Sequence, residues 1–365
     1  MPIKLFEKDE LTKKERVLLT LRHEEVDRVA LHDQLSFNPG VISMYTGKRI
    51  DGFGYTLEDI GKTVSMTLDS CFPFCAPCGT ARYTDGYGFV YQNDNWTRWH
   101  VSRPFSDERG AKDWLCSHIE NLKIQVKAFN ADSYRTSHLE YMRYLDSLAG
   151  GTVIIAITST GFCDVYDRMG LEIFSFFQLE YPDIFEEYME VSTKLAVFGA
   201  DTGVHAFFTP VVLIAEDFAT KQGPIFSPEF LGKYHFPYVK KLAESLHDNG
   251  VYVIYHSDGN YKKSIPELIK CGVDGFYCLE PNCGMDIVEL KQQYPEMVWS
   301  GGVDGVDLLE NGTPEQVREE VRRHITETSA LETGGMMIAS SSEINPPVRP
   351  ENFRAMIEAA DLYRR

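Results

Sequence analysis

Apolar runs that stop abruptly at polar residues recur along the chain. The sharpest is Val251-Tyr-Val-Ile-Tyr-His-Ser-Asp-Gly-Asn260, where five strand-forming residues run into His256, Asp258 and Gly259. A run of this kind reads as a buried strand whose C-terminal end opens into a site. The pattern returns in Gly275-Phe-Tyr-Cys-Leu-Glu280, Met297-Val-Trp-Ser-Gly-Gly-Val-Asp304 and Gly335-Met-Met-Ile-Ala-Ser-Ser-Ser342. Each is followed by a helical pattern, so parallel strand-to-helix units are the economical reading.

Upstream, Thr12-Lys-Lys-Glu15 has capping-box spacing, and Val17, Leu18 and Leu21 give an opening helix its apolar face. Val29-Ala-Leu31 is the first strand and ends in His32, Asp33 and Gln34; helical stretches over 38–45 and 57–68 follow. Residues 71–104 break the rhythm with three cysteines, prolines and alternating aromatic and turn residues, which predicts a β-hairpin insertion able to lid a pocket. Helices over 111–122 and 137–149 lead to a strand at 152–157 ending in Thr158-Ser-Thr-Gly161, then two helices over 171–199. The apolar run 205–215 ends in Glu216-Asp217, and Ser227-Pro-Glu229 opens the next helix. Seven strand-to-helix units are visible, with an eighth hidden between 66 and 100. With no glycine-rich dinucleotide turn, seven such units predict an α/β fold of the (β/α)8 TIM-barrel type: one domain over 1–365 with an N-terminal helical segment and the β-hairpin insertion.

Composition narrows the function. Lys plus Arg number 36 against 54 Asp plus Glu, a net charge of −18, which disfavours nucleic acid and anionic membrane surfaces as partners. No apolar stretch approaches the roughly 20 residues needed to span a bilayer. The first ten residues lack the apolar core of a secretion signal, so a cytoplasmic protein is expected. The eight cysteines are dispersed, which favours free thiols or metal ligands over a disulfide scaffold.

In a barrel every strand's C-terminal end faces one mouth. Side chains expected there are His32, Asp33, Ser159, Glu216, Asp217, His256, Asp258, Glu280, Asp304 and Ser342, with Asn38 and Tyr255 as further substrate contacts. His256 with the acids offers nitrogen and oxygen donors suited to zinc; the alternative is a hydrogen-bonded polar layer without a metal. Cys71-Phe-Pro-Phe-Cys75-Ala-Pro-Cys78 has the spacing that radical enzymes use to hold an iron–sulphur cluster; buried thiols beneath the hairpin are the plainer reading. The aromatic segment 83–99 either stacks on a planar ligand or forms the hairpin's own core.

Taken together, Arg22-His-Glu-Glu-Val-Asp-Arg-Val29, Glu216-Asp-Phe-Ala, Ser227-Pro-Glu-Phe, His256-Ser-Asp-Gly-Asn, Gly272-Val-Asp-Gly, Leu279-Glu-Pro, Gly284-Met-Asp, Gly301-Gly-Val-Asp304 and Pro347-Val-Arg-Pro-Glu-Asn352 resemble the uroporphyrinogen decarboxylase-like superfamily over nearly the whole chain. The resemblance implies a (β/α)8 barrel with its site at the strand C-termini. True decarboxylases of that superfamily carry an arginine-rich segment after the first strand, where this chain has His32-Asp-Gln-Leu-Ser36, so porphyrinogen carboxylates would lack counter-charges. The chain is nearer the corrinoid-dependent methyltransferase branch, whose zinc sits on a His-x-Cys pair and a distant Cys. Here His256 matches, Asp258 replaces the first Cys and Ser342 stands about where the second would be. Oxygen donors make a harder zinc, suited to polarising an ether.

The resemblance therefore implies a methyltransferase that takes a methyl group from a small methylated donor, a methoxylated aromatic in an O-demethylation, to the cob(I)alamin of a partner corrinoid protein. Its zinc ligands are expected to be His256, Glu280, Glu216 and Ser342, with Asp217, Asp304 and Asp258 as the acids of catalysis. The alternatives are a metal-free decarboxylase dependent on Asp217 and an iron–sulphur enzyme using Cys71, Cys75 and Cys78.

Overall fold

A computed structural model describes residues 5–365. Its main sheet has nine hydrogen-bonded segments, of which Val153–Ile154 and Ala156–Thr158 are two halves of one strand on either side of Ile155. Joining them closes an eight-stranded parallel barrel: β1 Ala30–Asp33, β2 Ser70–Cys71, β3 Val153–Ile154 with Ala156–Thr158, β4 Val211–Ala215, β5 Tyr252–His256, β6 Gly275–Tyr277, β7 Val298–Val303 and β8 Met336–Ser340. The strand hidden in the sequence is β2. It pairs His32 with Ser70 and Cys71 with Ile154, and has only two residues.

Period-two alternation sorts the strand residues between two cores. Ala30, Ile155, Leu213, Ile254, Tyr277, Val298, Met337 and Ala339 point inward and fill the barrel. Leu31, Val212, Ile214, Val253, Tyr255, Phe276, Trp299 and Ile338 point outward and pack under the helices. Of the sequence-predicted substrate residues, Tyr255 is therefore misplaced: with His256 facing in, its neighbour must face out. Tyr255 is fully buried, and its hydroxyl meets His235 Nε2 at 2.6 Å.

The N-terminal end of the barrel is closed by the helix Lys13–Leu21. Thr12 and Glu15 form the expected capping box, and Val17 and Leu21 join the barrel's interior core. Beside this plug, Arg16 reaches Asp69 at 2.7 Å and Asp27 at 2.8 Å, while Arg28 reaches Asp69 at 2.7 Å and Asp9 at 2.9 Å. Within the motif Arg22–Val29, Asp27 and Arg28 thus belong to a structural ion network.

The insertion is a three-stranded antiparallel sheet, Thr80–Thr84, Val90–Asp94 and Thr97–Ser102. Its aromatics mainly form its own core: Tyr83 stacks on Tyr91, and Phe89 packs edge-on to Trp114 of the helix Glu108–Ala128. Arg103 donates to the Arg168 carbonyl at 2.7 Å, which ties the sheet to the helix Phe162–Met169 after β3. Asn95 turns the chain at φ 54°, leaving Trp96 at the tip.

Candidate metal centre at the barrel mouth

Three side chains converge where β4 and β5 end. His256 is the last, inward-facing residue of β5; Asp217 lies two residues beyond β4, and Asp258 two beyond β5. His256 Nε2 stands 3.4 Å from Asp217 Oδ1 and 3.8 Å from Asp258 Oδ1. One donor atom from each of the three falls within 4.8 Å of the others, the one such group among the described residues. The backbone holds the loops in register: Glu216 N–H donates to the His256 carbonyl at 3.0 Å, and Asp258 N–H to Asp217 Oδ1 at 2.8 Å. Gly259 completes the turn at φ 76°, where a Cβ would lie 2.7 Å from the Thr220 carbonyl oxygen, so only glycine fits.

Electrostatically the trio is under-compensated. Burial and the charge of Asp217 push the Asp258 carboxyl up to about 6. Burial would lower His256, but Asp217, Asp258 and Glu280 hold it above its usual value; burial would raise Asp217, but His256 and the Asp258 amide hold it below. His256 Nδ1 is buried without a hydrogen-bond partner, so the ring is oriented by packing against Tyr277, 5.6 Å between centroids, rather than by a second polar contact.

The donor set fits zinc. Ligand atoms 2.0–2.2 Å from a tetrahedral ion stand roughly 3.3–3.6 Å from one another; the His256–Asp217 separation of 3.4 Å lies in that range and the His256–Asp258 separation of 3.8 Å just beyond it, so Asp258 would close in by a few tenths of an ångström. Two carboxylates side by side repel each other unless a cation or proton lies between them. A cavity of about 380 Å³ opens above the trio, lined also by Gln34, Trp96, Thr97, Tyr277, Cys278, Ser342, Glu343 and Asn345.

The other sequence-predicted residues separate by what their polar atoms already bind. Glu216 is fully buried; one carboxylate oxygen accepts from Ser159 Oγ, from both the amide and hydroxyl of Thr160, and from Gly161 N–H, and the other from Cys163 N–H. It anchors the start of the helix Phe162–Met169, and Ser159 serves the same anchor. Asp304 accepts from the amides of Val306 and Asp307 at 2.9 and 2.6 Å and caps the segment Gly305–Glu310. Asn38 caps the helix Pro39–Thr46 and donates to the carbonyls of Asn345 and Val348. Asp33 faces outward and accepts from Ser340 Oγ at 2.7 Å. His32 faces inward but lies below the cavity, with edge contacts to Phe72 and Tyr277, and burial lowers its imidazole to about 3. These residues hold the mouth together and leave little polar capacity for a ligand.

Glu280 stands beside the trio rather than in it, accepting from Gly259 N–H at 2.5 Å. Ser342 lines the cavity. The thiols of Cys71, Cys75 and Cys78 do not gather: Cys71 is packed in the core while Cys75 and Cys78 are exposed, so an iron–sulphur cluster has no site there. Trp96 and Thr97 come from the aromatic segment 83–99 of the insertion read as able to lid a pocket, whereas Gln34, Tyr277, Glu343 and Asn345 are cavity residues that sequence reasoning passed over. Tyr277 was detectable, because alternation along β6 puts it on the inward face; Glu343 and Asn345 belong to a loop whose course no pattern fixes.

A closed parallel barrel with its polar trio at the strand C-termini is the enzyme-like arrangement of this architecture. Residues 165–363, more than half of the chain, match the family Uroporphyrinogen decarboxylase (URO-D), and the chain belongs to that family. Within it the chain stands nearer the methyltransferase branch. It is 27% identical over 136 residues to the methylcobamide:CoM methyltransferase MtbA of Methanosarcina acetivorans, covering 37% of this chain and 38% of that protein. It is 25% identical over 198 residues to the methylcobamide:CoM methyltransferase MtaA of Methanosarcina barkeri, covering 54% of each. The match thus spans from about two-fifths to about half the length of these curated relatives. A solved methyltransferase from Methanosarcina mazei superposes with a TM-score of 0.65 at 18% identity, over 97% of this chain and 99% of that one, and shows the same fold.

Proposed function

We propose that this protein is a corrinoid-dependent methyltransferase that moves a methyl group from a small methylated donor to the cob(I)alamin of a partner corrinoid protein. The observation that carries the reading is the convergence of Asp217, His256 and Asp258 at the barrel mouth in a chain of this family. These three would hold zinc, with Ser342 and Glu280 at hand on the rim; bound there, the ion supplies Lewis acidity that makes the donor's oxygen a better leaving group. Asp217 is fixed by the Asp258 amide and Asp258 by the Gly259 turn, so the ligands are set before the donor arrives.

Tyr277 forms the cavity floor, and Trp96 with Thr97 closes one side from the insertion, a position from which they exclude water. An aromatic wall beside an oxygen-ligated site favours a methoxylated aromatic donor, hence O-demethylation. The metal-free decarboxylase alternative is less well supported: among the described residues no lysine or arginine lines the cavity to meet a polycarboxylate.

The test is methyl transfer from 2-methoxyphenol to a free or protein-bound cob(I)alamin, followed by the absorbance change on cobalt methylation. His256→Ala is expected to lower the rate by at least about a hundredfold. Full transfer by zinc-free protein would refute the metal role, and decarboxylation without corrinoid would refute the class.

A further inference from the structure

The charges around the cavity say more about the donor than its ring does. Asp217, Asp258 and Glu343 line it together with His256, and no lysine or arginine does so among the described residues. A divalent ion on the trio would cancel Asp217 and Asp258 but leave Glu343. That carboxylate is held in place by Gln34 Nε2, which donates to its Oε1 at 2.8 Å, and it makes no ion pair among the described residues. It is half-buried, so its field is only partly screened by water. Trp96 and Tyr277 line the same space and give it aromatic surface, which attracts ammonium groups and tolerates neutral arenes.

We infer that the site takes methoxyarenes bearing a hydroxyl or ammonium substituent and rejects those bearing a carboxylate, with Glu343, positioned by Gln34, as the group that reads the donor's charge. This rests on the methyl-transfer reading of the same cavity. A hydroxyl or ammonium donates to Glu343, whereas a carboxylate would meet a like charge with no lysine or arginine among the described lining residues to offset it. The specificity is built as repulsion as much as attraction.

Three probes of nearly equal shape isolate the charge: 2-methoxy-4-methylphenol, 4-hydroxy-3-methoxybenzylamine and 4-hydroxy-3-methoxybenzoate, each titrated calorimetrically into the protein as purified. The phenol and the amine are expected to bind at least about tenfold tighter than the benzoate, and Glu343→Gln should shrink the amine-to-benzoate ratio by about tenfold while zinc content stays unchanged. Benzoate binding as tight as the amine, or a ratio unmoved by Glu343→Gln, overturns the inference alone. If none of the three binds, the methoxyarene reading falls and takes the inference with it.

Discussion

The barrel carries a cluster of acids at each end, buried at the N-terminal end and half-exposed at the mouth, and the two are treated oppositely. At the N-terminal end Asp69 is fully buried between Arg16 and Arg28, accepts the Leu31 amide at 2.8 Å, and is held below its usual value because the two guanidiniums more than offset its burial. At the mouth Asp258 has only His256 as a counter-charge, and partial burial together with the charges of Asp217 and Glu280 pushes its carboxyl up instead. Partnered charges make a structural plug; crowded acids short of cations make a place for a cation. The contrast teaches where binding free energy has been left available, since satisfied groups gain nothing from a ligand while repelling ones do.

The largest expected effect of breaking that contrast lies in the plug. Arg28→Ala leaves Asp69 buried with half its counter-charge and should cost about 3–5 kcal/mol, read as a fall in the urea midpoint or as loss of soluble protein; Asp258→Asn at the mouth, where the carboxyl is pushed up, should leave the metal-free protein at least as stable as the parent. A midpoint for Arg28→Ala equal to that of the parent would mean the network contributes no stability. Next comes Gly259→Ala, which forces a Cβ against the Thr220 carbonyl at positive φ. It should cost about 1–3 kcal/mol and weaken metal binding with it, because Asp258 is the preceding residue. Retained zinc affinity would show that the turn does not position Asp258.

Trp96→Ala should leave folding intact, as its sheet is held by Tyr83, Phe89 and Tyr91, and raise KM for an aromatic donor by about tenfold with kcat little changed. An unchanged KM would remove Trp96 from the donor site. The smallest effects are in pH dependence. Burial pushes the Asp33 carboxyl up to about 7, so its contribution to stability is full below the unfolded value near 4 and is lost as pH rises through about 7. Glu320 runs the other way: burial opposes its charge, but His324 and Arg323 hold it down to about 2, so its contribution is present above the unfolded value near 4 and lost as pH falls through about 2. Denaturant melts of Asp33→Asn between pH 4 and 8 should show a flatter profile than the parent.

How far the sequence could be read follows the same physics. Long apolar runs ending in polar residues marked β1, β3 to β5, β7 and β8, and β6 with them, because strand burial and helix periodicity are local signals. Ser70–Cys71 left no run to see, being two residues long and preceded by the charged Asp69. At the site, His256 and Asp258 were visible as the polar end of the strongest strand. Glu216, Asp304 and Asn38 looked equally polar but are occupied by backbone groups at helix starts, and which acids are occupied in this way is decided by tertiary geometry. Tyr255 was excludable from alternation with His256 alone. Asp217 and Asp258, both expected as acids of catalysis, stand with His256 among the candidate ligands, and Glu280, expected as a ligand, lies beside them on the rim.

The most direct test is zinc content measured on the purified parent and on Asp217→Asn combined with Asp258→Asn, with circular dichroism to show that both are folded. The parent should carry about one zinc per chain and the double variant essentially none at an unchanged spectrum. A metal-free parent after growth in zinc-replete medium, or full zinc retention by the folded double variant, would contradict a metal centre on Asp217, His256 and Asp258.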